Sequence, residues 1–168
     1  MERKDKENYY LDIAETVMLR STCSRRKYGA IIVKDDEIIS TGYNGAPRGR
    51  KNCLDREVCM RDELGIPSGE RYELCRSVHA EANAIISAAR RDMMGATLYL
   101  SGIEAKTGEL MDDTTPCSMC RRLIINSGIE KTVCRVRNGK YVVIHTRDWV
   151  FNDDSIMSEN RTLINLTK

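Results

Sequence analysis

Residues 76–85 read RSVHAEANAI, and residues 116–120 read PCSMC. His79 is one of only two histidines in the chain, and it stands two residues before Glu81, where an alanine-rich helical pattern begins. A glutamate that opens a helix needs no partner, because the positive end of the helix dipole favours a nearby carboxylate. The second stretch changes that reading. Cys117 and Cys120 are three apart, which puts both thiols on one face in the first turns of a helix, where the dipole favours thiolate. One imidazole and two thiolates give a tetrahedral zinc three protein ligands and one open position, the form of a catalytic zinc site. Water held in such a position has its pKa lowered to roughly 7. Glu81 lies about 200° round a helix from His79, so it need not bind the metal and can face a substrate as a proton shuttle.

Working outward, residues 7–20 place Tyr10, Ile13, Ala14, Val17 and Met18 at helical spacing and predict an amphipathic helix. YGAIIVKD and EIISTGYN flank Asp35 and Asp36 and predict a hairpin. HAEANAIISAAR predicts a helix with Ala82, Ile85, Ile86 and Ala89 facing inward and an end near Gly95, followed by ATLYLSG as a strand. In the PCSMC helix Thr115 is placed to cap, Pro116 suits the first position, and Gly128 closes it. KTVCRVR and KYVVIHT are strands around Asn138 and Gly139, a two-residue signal for a tight antiparallel turn. The order α-β-β-α-β-α-β-β predicts an α/β fold with one mixed sheet and helices on its faces.

A chain of 168 residues fits one domain spanning 1–168, with a polar tail from about residue 152. With 27 Lys and Arg against 25 Asp and Glu, it is not the strongly basic chain expected of a dedicated binder of large nucleic acids. MERKDKENYY has no apolar run suited to secretion, and AIIV and YVVIH are far short of a membrane span. A soluble cytoplasmic protein is therefore expected. Seven cysteines in such a compartment point to metal ligands or buried thiols, since the cytosol keeps thiols reduced. Residues 45–76 are rich in Gly, Arg, Asp and Cys with little apolar period, and a long irregular segment needs a function or a stapling metal.

The pair H-x-E and P-C-x-x-C is the signature of zinc-dependent nucleobase deaminases. Over most of residues 9–136, through STCSRRKYGAIIV, STGYNGAPRG, VHAEANAI and PCSMC in order, the chain resembles the deoxycytidylate (dCMP) deaminases of the cytidine deaminase superfamily. TGYNG is the discriminating stretch. The resemblance implies a three-layer α-β-α fold with a five-stranded mixed sheet, and hydrolysis of dCMP to dUMP with release of ammonia. It implies zinc on His79, Cys117 and Cys120, Glu81 as proton carrier, Asn44 on the deoxyribose and Ala80 beside the substrate. A nucleotide needs a cation for its phosphate, and Arg25 comes first and Arg48 second by position. Some members carry a second, structural zinc, which here would take Cys23, Cys53, Cys59 and Cys75 and staple residues 45–76. The competing reading leaves one or two of these as buried free thiols. Cys134, on a strand, reads as core. The resemblance further implies a homo-oligomer, often a hexamer, controlled by dCTP and dTTP.

The chain departs from that pattern in two places. The stretch DDTT follows a long excursion, GIEAKTGELM, where relatives turn more directly into the cysteine motif. Relatives also place a helix between their last two strands and so pair them parallel, whereas Arg137, Asn138, Gly139 and Lys140 read as a hairpin, which predicts an antiparallel pair. His145 reads as structural or exposed. The rival readings are a tRNA adenosine deaminase-like or free cytosine or cytidine deaminase with the same zinc set, and a catalytically silent zinc-containing module that binds nucleotides. A folded RNA would demand a broader basic surface, and a pure binder has no use for Glu81.

Overall fold

The computed structural model describes residues 3–152. Helix α1 (Lys6–Met18) is capped by Asp5, whose side chain accepts from the Asn8 backbone N–H at 2.9 Å. It leads into β1 (Arg26–Lys34) and β2 (Glu37–Tyr43), joined by a turn in which Asp35 and Asp36 both take positive φ. Within residues 45–76 the regular structure amounts to a single turn at Cys53–Asp55, α2 (Met60–Glu63) and a turn at Tyr72–Leu74. Then follow α3 (Ala80–Ile86), α4 (Arg90–Met93), β3 (Thr97–Glu104), α5 (Ser118–Ser127), β4 (Lys131–Arg135), β5 (Tyr141–His145) and α6 (Thr146–Phe151).

The strands form one five-stranded sheet in the order β2-β1-β3-β4-β5. β3 and β4 run parallel, and every other neighbouring pair is antiparallel. The antiparallel hairpin expected at the end of the chain is present, with Lys131 opposite His145 and Arg135 opposite Tyr141. Asn138 and Gly139 take φ of 66° and 71°, the pair of positive values a type I′ turn needs. The ladder stops short of that turn, where the Val136 N–H donates to the Lys140 carbonyl.

Both faces of the sheet are covered, which is why β1 reads as an unbroken apolar run. Ile31, Val33, Tyr99 and Val133 pack on one side with Tyr10, Leu11 and Ala14 of α1. Ala30, Ile32, Leu98, Leu100 and Cys134 pack on the other with Ala80 and Ala84 of α3 and Ile124 of α5. The layers are thus α-β-α, as expected. A side chain at Gly42 would collide with the Ala80 carbonyl and the Ala84 N–H, so glycine here lets α3 lie directly on β2.

Three local expectations are corrected. The helix after His79 stops at Ile86, and Arg90–Met93 is a separate turn. Of the four residues expected inward, Ala82 is buried and Ile85 packs on the core, but Ile86 and Ala89 are exposed, because Ala80 and Ala84, one turn apart over Gly42, set the face that meets the sheet. The metal-motif helix begins at Ser118 with Cys117 as its N-cap in extended backbone, so Thr115 does not cap it and Pro116 is buried ahead of it. Residues 146–151, the first of them read as strand and the rest left unassigned, form α6, which packs on α5. The expected polar tail from about residue 152 falls almost entirely outside the described residues. No helix among the described residues is long and apolar enough to cross a membrane.

Candidate metal centre and cavity

His79 is the N-cap of α3 and Cys117 the N-cap of α5. Extended backbone at these two positions turns their side chains off the helix ends toward each other. His79 Nδ1 lies 3.5 Å from Cys117 Sγ and 3.4 Å from Cys120 Sγ. Among the described residues these are the one group of three or more candidate ligands whose donor atoms all lie within 4.8 Å. One imidazole nitrogen and two thiols at this spacing, none in a disulfide, fit the donor set and size of a three-ligand zinc site.

The electrostatics of the cluster match that use. Without a metal, the hydrogen bond from the Cys120 thiol, then that with His79, lowers Cys117 to about 4, against the opposing effect of burial. Cys120, as the donor, is pushed up by that bond and by burial. Burial alone would pull His79 down, but the hydrogen bond with Cys117 and the Glu81 carboxylate raise it. Glu81 is 5 % exposed, and burial pushes its carboxyl up while the His79 ring opposes the shift.

A cavity of about 130 Å³ opens over this cluster. His79, Glu81 and Cys117 line it, together with Asn44 and Arg25. Asn44 is buried and already committed within the protein. Its Oδ1 accepts from Ser21 Oγ at 2.6 Å and the Tyr28 N–H at 2.7 Å, and its Nδ2 donates to the Arg26 carbonyl at 2.9 Å. One amide proton is left for anything else. Arg25 Nε pairs with Asp62 at 3.1 Å. Arg48 is exposed and outside the lining, and Ala80, fully buried in the core beneath α3, is outside it too.

Cys23, Cys53, Cys59 and Cys75 all line the same cavity, half-buried and free of disulfides. Burial pushes the Cys53 thiol up, and the other three cysteines add to the shift, so the four are close enough to sense one another. No three of their sulfurs meet the 4.8 Å spacing that His79, Cys117 and Cys120 do. Cys134 is fully buried, as core. His145 is half-buried at the start of α6 and joins no ligand group.

Arg61 and Tyr72 are among the lining residues that escaped the sequence reading. Arg61 is 5 % exposed and donates to three backbone carbonyls, and its guanidinium stacks on Tyr72, whose ring abuts His79. Tyr72 is the one aromatic residue between 45 and 76, which was the available signal. Arg61 gave none, since its partners are main-chain atoms that any residue supplies.

A metal-ligand triad with a buried carboxylate at its side, in an α-β-α sandwich, defines a metal-dependent hydrolytic class of site. Residues 4–136 match the model of the cytidine and deoxycytidylate deaminase zinc-binding region. The chain is 41% identical over 138 residues to the deoxycytidylate deaminase of Mycobacterium phage D29, covering 79% of this chain and 96% of that one. It is 33% identical over 128 residues to the deoxycytidylate deaminase of Schizosaccharomyces pombe, of which it spans 36%. The apo dCMP deaminase of cyanophage S-TIM5 superposes with a TM-score of 0.55 at 25% identity, covering 82% of this chain and 87% of that one. The chain belongs to the zinc-binding cytidine and deoxycytidylate deaminase family.

Proposed function

We propose that the chain hydrolyses dCMP to dUMP and ammonia. The observation that carries this is the meeting of Glu81 with the His79, Cys117 and Cys120 triad beneath a cavity whose wall carries arginine, in a chain 41% identical over 79% of its length to a phage deoxycytidylate deaminase. Zinc, when bound, supplies Lewis-acid activation of water. His79, Cys117 and Cys120 hold it. Glu81 takes a proton of the attacking water as its oxygen bonds to C4 and passes that proton to N3 of the pyrimidine; it then takes the proton of the hydroxyl now on C4 and delivers it to the amino group, so that C4–N breaks, C4=O forms and ammonia leaves. Its burial keeps bulk water from competing for those protons.

The free amide proton of Asn44 is directed to the deoxyribose, and Ala80 meets the base through its backbone. Arg25 receives the phosphate by exchanging Asp62 for it, and Arg48 is placed further out. Cys23, Cys53, Cys59 and Cys75 take a second zinc by drawing together by small shifts of a segment with little core. Residues 1–168 act as one catalytic unit, a cytoplasmic homo-oligomer, hexameric by family resemblance, with dCTP and dTTP as effectors. The test is ammonia release from dCMP, cytidine, cytosine and a tRNA anticodon stem, with dCMP rates repeated in dCTP and dTTP. Preference for dCMP is expected; an equal or higher rate on any other substrate overturns the assignment.

A further inference from the structure

Between 46 and 76 only Arg61 and Ile66 are buried. An arginine in that position is costly unless its charge is well met. Here Nη1 donates to the carbonyls of Glu70 at 2.6 Å and Arg71 at 3.0 Å, and Nη2 to that of Pro67 at 2.6 Å. The guanidinium carbon sits 4.9 Å from the centre of the Tyr72 ring, and that ring meets the His79 imidazole edge to face, with centres 4.7 Å apart and planes at 89°. The backbone between them is strained: Arg71 takes φ 46°, ψ 50°, a left-handed conformation uncommon outside glycine, at the residue whose carbonyl Arg61 holds and which delivers Tyr72.

A metal-ligating histidine is ordinarily oriented by a hydrogen bond from its second ring nitrogen to a carboxylate or carbonyl. Among the described residues both hydrogen-bond contacts of the His79 side chain go through Nδ1 to Cys117 and Cys120, and no protein group meets Nε2. The Nε2 side of the ring is therefore held by packing rather than by a hydrogen bond to the described residues. The geometry points to Arg61 and Tyr72 as a positioning pair: Arg61 folds residues 67–71 around its guanidinium and so presses Tyr72 against His79, fixing the imidazole that supplies the metal ligand. The inference rests on His79 being a ligand, and it ties the irregular segment directly to the metal centre.

The test is the rate at which a chelator strips zinc from the purified holoenzyme, alongside kcat and KM. Loss of an orienting neighbour around a metal site costs about 10–100-fold in metal affinity or activity, so Tyr72→Leu should release zinc at least about tenfold faster and lose kcat with KM little changed. Tyr72→Phe, which keeps the ring, should behave as wild type. Arg61→Lys, which keeps the charge but not the fork, should move both readouts the same way, and the double variant should be no worse than Tyr72→Leu alone. Should Tyr72→Leu fail to fold, Tyr72→Met keeps the volume without the flat ring. Wild-type zinc release and kcat in these variants would overturn the pair, and multiplying effects would show that the two residues act separately. Zinc release involves no substrate, so it reads the inference even if dCMP proved to be the wrong nucleotide.

Discussion

His79 and Cys117 stand at the starts of helices pressed onto the sheet by fully buried residues such as Ala84 and Ile124, whereas residues 46–76, which supply Arg56, Cys59, Arg61 and Tyr72 to the same cavity, bury only Arg61 and Ile66. The first region is held by apolar burial, worth about 25 cal/mol for each Å² removed from water. It needs no metal to stand. The second is held by directional contacts, namely carbonyls gathered on one guanidinium and an ion pair between Arg25 and Asp62. One cavity therefore has a wall set by the core and a wall that answers to chemistry, and perturbations should separate the two.

The largest effect belongs to the rigid wall. Glu81→Gln should lower turnover by about 10⁴-fold, the upper end for acid–base catalysis, while zinc content stays at the wild-type level. Cys120→Ala should lose the zinc itself. Equal metal loss in both variants, by elemental analysis, would break the distinction between ligand and proton carrier.

Next comes the responsive wall. Cys59→Ser should remove one of two zinc ions per chain and expose residues 46–76 to limited proteolysis, with the sheet still protected. One zinc in both proteins, with equal resistance to protease, would leave the segment to contacts such as the Arg61 carbonyl cluster and the Arg25–Asp62 pair.

A smaller effect should appear only with a charged substrate. Arg25→Ala removes a cation worth about 1.5–3 kcal/mol to a phosphate, so dCMP use should fall about tenfold or more while the slow reaction with deoxycytidine is unchanged. The same loss on both substrates would make Arg25 a structural partner of Asp62. Smallest of all, Asn138→Ala places an alanine at φ 66°, far from the cavity, and should cost about 1 kcal/mol in thermal unfolding with normal turnover. Any loss of activity would mean that the far end of the sheet is coupled to the site.

The meeting of His79 with Cys117 and Cys120 was legible because it is set locally: two short motifs each put their candidate ligands at a helix start. The last hairpin was legible because Asn138 and Gly139 tolerate positive φ, and that local signal outweighed the parallel pairing that the resemblance implied. Helix caps were less so. Thr115 and Pro116 have the composition of a helix start, yet the start falls at Cys117, where the thiol must turn toward His79. Ile86 and Ala89 fit an inward period that the contact of Ala80 and Ala84 with Gly42 pre-empts. Arg25 was found but not its partner Asp62, because an ion pair across an irregular segment leaves no spacing to read.

The sheet has one parallel pair, β3 with β4, and α5 lies in the connection between them. The two outer hairpins, β1 with β2 and β4 with β5, join neighbours in sequence and can close early, since local contacts cost little chain entropy. His79 precedes β3 and Cys117 follows it, so the two meet only once β3 has seated between β1 and β4. Metal capture is then the closing event of assembly, and in a refolding experiment zinc uptake should trail the appearance of strand signal.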